Sequence, residues 1–95
     1  MTEQTKTIML PGGATVTTEA RKAERLMRKL KALKLMTPNN NEYNYEFVNG
    51  TIGTGTFVGW QKLNLRFRRK DGTDFLVPVV DMGDGSLCTE YISRS

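Results

Sequence analysis

The spacing of apolar residues changes twice along this chain. In residues 5–10, Ile8 and Leu10 alternate with Thr7 and Met9, the two-residue period of a short strand. Pro11-Gly12-Gly13 then stops it. From residue 17 to about residue 36 the period is helical. Ala23, Leu26, Met27, Leu30 and Leu33 share one arc of ~120° when each residue turns ~100°. Thr17 or Thr18 is the expected N-cap, with Glu19 in the first turn, where the helix dipole favours an acid. Lys31 and Lys34 fall in the expected last turns. Thr37-Pro38 is the expected stop, because a residue before proline avoids the α region.

Beyond the polar stretch Asn39-Asn40-Asn41 the period returns to two. Tyr43, Tyr45 and Phe47 alternate with Asn44 and Glu46, and Asn49-Gly50 follows as a hairpin signal. A two-residue loop there would set Ile52 opposite Phe47. The apolar parity then slips: Ile52 and Val58 are even, Leu63, Leu65 and Phe67 are odd. A turn or bulge near Gly59-Trp60-Gln61 is needed to absorb the extra residue.

The stretch RFRRKDGTDF, residues 66–75, admits two registers. A two-residue Asp71-Gly72 loop would mix apolar and charged residues on both faces. A three-residue loop, Lys70-Asp71-Gly72, sets Leu63, Leu65 and Phe67 against Val79, Val77 and Phe75, and Arg68 across from Asp74. The second is preferred because burying an unpaired arginine costs several kcal/mol. A last hairpin is expected at Gly83-Asp84-Gly85, returning through Leu87 to Ile92. The expected fold is α+β: one amphipathic helix on an antiparallel meander of four or five strands, with a short N-terminal strand possible.

Composition adds limits. Ninety-five residues with 38% apolar content make one globular domain over 1–95. Residues 1–4 and 93–95 are expected as loose termini and 37–42 as a linker from helix to sheet. No apolar run nears the ~18 residues of a membrane span, and the first residues lack a signal peptide's apolar stretch. The expected location is therefore the cytoplasm. There is no histidine and one cysteine, Cys88, which reads as a buried small hydrophobe. That composition offers no Ser-His or Cys-His pairing and no four-cysteine zinc site, so neither catalysis, a cofactor nor a small-molecule substrate is expected.

Several motifs fall away on inspection. Residues 52–59, IGTGTFVG, resemble a phosphate loop in composition, yet Val58 stands where a third glycine belongs and no Gly-Lys-Ser/Thr follows. Gly53 and Gly55 instead suggest close backbone approach on a strand. Asp81, Asp84 and Glu90 do not read as a cation site, since the spacing lacks alternating oxygen ligands and a terminal glutamate, and the two aspartates read as turn residues. Glu42 and Glu46 lie on one strand face roughly 13 Å apart by strand rise, too far for a glycosidase pair.

Charge is the strongest remaining signal. Residues 17–36 hold seven cations and two acids, so this segment's excess exceeds the +4 of the whole chain. Arg21, Lys22, Arg25, Arg28 and Lys29 fall opposite the apolar arc. Arg21–Arg25 and Arg25–Lys29 are like-charged i,i+4 pairs, each costing a few tenths of ~1 kcal/mol, which a polyanion would offset. These five residues are the candidate contacts for nucleic acid or for an acidic protein. Lys62, Arg66, Arg68, Arg69 and Trp60 are secondary candidates, and an exposed sheet edge near residues 53–60 is an alternative protein-binding surface. Tyr43 and Tyr45 share Phe47's face, which is assigned to the core. Trp60 sits at the parity slip, where it either plugs the core or stands out as a recognition anchor.

Overall fold

The computed structural model of the chain describes residues 4–81, 83 and 85–95. Strands β1 (Thr5–Met9) and β2 (Thr15–Glu19) form an antiparallel hairpin with Ile8 opposite Val16. Helix α1 (Ala20–Ala32) follows without a break. Next come β3 (Glu42–Glu46), β4 (Ile52–Gln61), β5 (Asn64–Arg68), β6 (Asp74–Pro78), a 3-10 turn at Cys88–Tyr91, and β7 (Ile92–Arg94). The last five strands make one antiparallel sheet in the order β6-β5-β4-β3-β7. The fold is α+β, with α1 packed on this five-stranded sheet and the two-stranded β1-β2 sheet beside it.

Both ends of the helix depart from the sequence reading. Thr17 and Thr18 belong to β2, and Glu19 is the N-cap, with no side-chain cap bond and no acid in the first turn. Thr15-Val16-Thr17-Thr18 is a β-branched run, which favours a pleated strand, and pairing with β1 realises that preference. At the other end the helix stops five residues before Thr37. The Leu35 amide donates to the Leu30 carbonyl and the Lys34 amide to the Lys31 carbonyl, a Schellman ending with Lys34 at φ 58. Side-chain burial explains why. In a continuing helix Leu35 would swing to the cationic side, whereas here it turns under the helix and is fully buried.

The sheet's inner face carries the aromatic core. Tyr43, Phe57, Leu65, Phe67, Val77 and Ile92 are buried, facing Ala23, Leu26 and Leu30 of α1. Burying a leucine or phenylalanine contributes ~1.5–3 kcal/mol, so this seam dominates the stability. The β5-β6 register is as expected. Leu65 pairs with Val77, Phe67 with Phe75 and Arg68 with Asp74, and Gly72 at φ 89 closes the three-residue loop.

One expected register is corrected, and the expected bulge is found. The β3-β4 loop has three residues, not two: the Phe47 amide donates to the Thr51 carbonyl at 2.8 Å and Gly50 takes φ 86. Tyr45 therefore faces Gly53, and Ile52 points to the open outer face. The rings of β3 spread over the glycines, and a Cβ on Gly53 would lie 2.5 Å from the Phe47 ring. The extra residue is absorbed at Val58, where the β4-β5 register shifts between Phe57 and Gly59; Gly59 takes φ 143 and Trp60 returns to the inner face opposite Leu65.

The chain's end also differs. Val80 bridges to Leu87, but the return passes through the 3-10 turn to the far side of the sheet, where Ile92 pairs with Tyr45. Residues 93–95, expected as a loose end, run along β3, and the Ser95 hydroxyl bonds the Glu42 carboxylate at 2.8 Å. Asp84, at the centre of the expected last hairpin, lies outside the described residues.

Candidate functional site

The apolar arc of α1 is buried and its cationic arc faces outward, but the five candidate cations are not equivalent. Arg21 and Arg28 are exposed and have no ion pair or hydrogen bond among the described residues. Lys29 is half-buried. Arg25 lies 3.0 Å from the Glu90 carboxylate, a pair in which both side chains stay about half exposed. Exposed pairs of this kind contribute ~0–1 kcal/mol, so an incoming anion competes with Glu90 at little cost. Lys22 sits on the flank, and its ammonium donates to the Gly85 carbonyl at 3.3 Å. The 3-10 turn thus borders one flank of α1, and β1 borders the other, where Lys6 and Lys31 add positive charge.

Two of the secondary candidates lie on the sheet face turned away from the buried core. Arg66 and Arg68 project from the outer face of β5, since Leu65 and Phe67 between and beside them are buried. Arg68 forks onto Asp74, with Nε 2.8 Å and a terminal nitrogen 3.2 Å from its two carboxylate oxygens. Arg66 lies 3.8 Å from the same carboxylate and also donates to the Gln61 side chain. These hydrogen bonds and charges hold the Asp74 carboxyl below the usual carboxylate range, the bond from Arg68 being the largest cause. The Arg69 guanidinium stacks 4.7 Å above the Phe75 ring. Lys62 stands exposed in the β4-β5 turn at φ 54.

Trp60 is half-buried, and its indole N–H donates to the Leu35 carbonyl at 2.8 Å. Two neighbours act alike at the same helix end. The Tyr43 hydroxyl donates to the Leu33 carbonyl, and the Asn39 amide donates to the Lys34 carbonyl at 2.7 Å. Three side chains from the sheet and its lead-in loop thus bond the three carbonyls that follow α1 and tie the chain leaving the helix to the sheet. Tyr43 and Tyr45 are buried, as their position on the Phe47 face implied.

Residues 53–60 do not form an edge: β4 is the middle strand, and the edges are β6 and β7. Gly53 and Gly55 mark close approach, a Cβ on Gly55 lying 3.0 Å from the Arg68 carbonyl oxygen. Asp81 accepts the Gly83 amide at 2.7 Å, as a turn residue does. Cys88 is buried beside Tyr45, whose phenol is pushed up first by burial and then by Cys88. The strand expected at residues 5–10 is present as β1, but its partner β2 was not expected, nor was the place of Lys6 beside α1. The signal for β2 was present in the β-branched run before Glu19.

No protein-family description, curated protein or solved structure matches this chain. Among the described residues, no helix is long and apolar enough to cross a membrane.

Proposed function

We propose that the chain is a non-catalytic binding module that takes nucleic acid on the outward face of α1, through phosphates and with weak sequence preference. One contrast supports the reading above all. Arg21 and Arg28 stand exposed without internal partners among the described residues, while the arginines of the sheet are turned onto Asp74 and Phe75. Cations one helical turn apart lie ~6 Å apart along the axis and follow a phosphate backbone. The helix holds no Asn or Gln, the residues that read adenine, so base selection would fall to arginine alone.

With four or five phosphates engaged, log affinity for duplex should fall with log salt at a slope of about −4. A mobility-shift assay at two salt concentrations tests this, comparing wild type with a variant carrying Arg21→Gln, Arg25→Gln and Arg28→Gln. An unchanged shift in the variant would remove the helix from the interface.

A second reading is an acidic protein on the same face. The Arg25–Glu90 pair favours it, because a carboxylate already occupies this surface with good geometry. Capture of one acidic protein that survives nuclease treatment would select this reading.

A further inference from the structure

We propose that the cleft between β1 and α1 takes a base of a single-stranded nucleic acid whose phosphates run along α1. The inference rests on the phosphate-binding reading above and names the ligand class for that face. The cleft has a volume of about 520 Å³. Ile8, Met9 and Met27 give it an apolar lining, and Lys6, Arg28 and Lys31 add positive charge; among the described residues Glu24 is the one acid lining it. Arg28 belongs both to this cleft and to the outward arc of α1, so a strand held by its phosphates there has a base within reach of the methionines.

Met9 is 72% exposed, which leaves its thioether open to a planar ring. Thioethers make favourable contacts with aromatic rings, and every base offers a π-face, so such a contact adds affinity without sequence preference. A duplex keeps its bases stacked inside and has none to place in the cleft. Nor is α1 shaped to enter a major groove ~12 Å wide, because β1 and the Cys88–Tyr91 turn flank it on both sides. Three cations at an apolar cleft also complement an anionic lipid, and that occupant is one outcome of the test.

Fluorescence anisotropy with four probes decides the matter: a base-bearing single strand, an abasic strand of equal length, a blunt duplex, and phosphatidylserine vesicles. Wild type should prefer the base-bearing strand to the abasic strand. Met9→Ala should weaken binding of the base-bearing strand about two- to tenfold and leave the abasic strand and the salt slope unchanged. The exposed position of Met9 spares the fold. Equal binding of base-bearing and abasic strands, or no loss in Met9→Ala, overturns the base-binding cleft while phosphate binding stands. Tighter binding to the vesicles than to the strand overturns it in favour of a lipid. Failure to bind any nucleic-acid probe at low salt overturns both readings.

Discussion

Two clusters of arginine, one on β5 and one on α1, differ in what surrounds them. On β5, Arg66 and Arg68 share the carboxylate of Asp74, placed across the ladder by the register of the β5-β6 hairpin. On α1, Arg21, Arg25 and Lys29 follow one another at i+4, Glu24 is the one acid of the helix, and the ion pair formed comes from outside the element, from Glu90 on Arg25. A sheet brings in a partner from a distant strand, whereas a helix face has only its own sequence and whatever packs beside it. Positive charge is equally visible in both stretches of sequence. In the second, Arg21 and Arg28 are exposed with no ion pair or hydrogen bond among the described residues, and that difference separates a structural cluster from a candidate contact surface.

The largest expected effect breaks the comparison directly. Replacing Arg21, Arg25 and Arg28 by Gln should lower nucleic-acid affinity at moderate salt by more than tenfold and reduce the salt slope by about one per phosphate lost. Replacing Arg66, Arg68 and Arg69 by Gln should leave both nearly unchanged. Equal losses in the two variants would erase the distinction between the clusters.

A smaller effect concerns how the helix face is held. Trp60→Phe keeps an aromatic ring, smaller than the indole, but removes the N–H donor, leaving the Leu35 carbonyl short of its partner. A stability loss of ~1 kcal/mol is expected in denaturant unfolding, with binding retained by the folded fraction.

The pH dependence sharpens the sheet side. The folded Asp74 carboxyl is depressed by its bond from Arg68 and the nearby charges of Arg68 and Arg66. Its contribution is therefore complete above the ordinary aspartate value of ~3.9 and is lost as pH falls through the lower folded value. Asp74→Asn should lower the unfolding midpoint near neutral pH and lose less on acidification than wild type. A carboxyl titration of Asp74 by NMR at the ordinary aspartate value would contradict the geometry. Smallest of all, Glu90→Gln should free Arg25 and raise nucleic-acid affinity about two- to threefold, since exposed pairs contribute ~0–1 kcal/mol. Isothermal titration of wild type and variant measures it.

Period and charge made much of this legible in advance. The core stripe of Ala23, Leu26 and Leu30 follows from helical spacing, and the register that pairs Arg68 with Asp74 follows from keeping arginine out of the core. The cationic arc was equally readable, because it is a property of one helix. What was missed depends on partners remote in sequence. The run before Glu19 became strand because β1 lay beside it, and the helix ended at Ala32 because Leu35 could be buried. The role of Trp60 was open in the sequence and closed by the Leu35 carbonyl, 25 positions away.

Local rules thus determined by themselves where a helix and strands would form, which faces would be apolar, and which segment would carry the excess charge. They act between residues one to four positions apart, where spacing alone decides who meets whom. The tertiary structure alone decided which arginines found an acid, where the bulge fell, which strands became edges, and that β1 would wall one side of α1 to make a cleft. Those outcomes depend on packing between elements distant along the chain, and packing selects among registers and ends that the local pattern leaves nearly equal in energy.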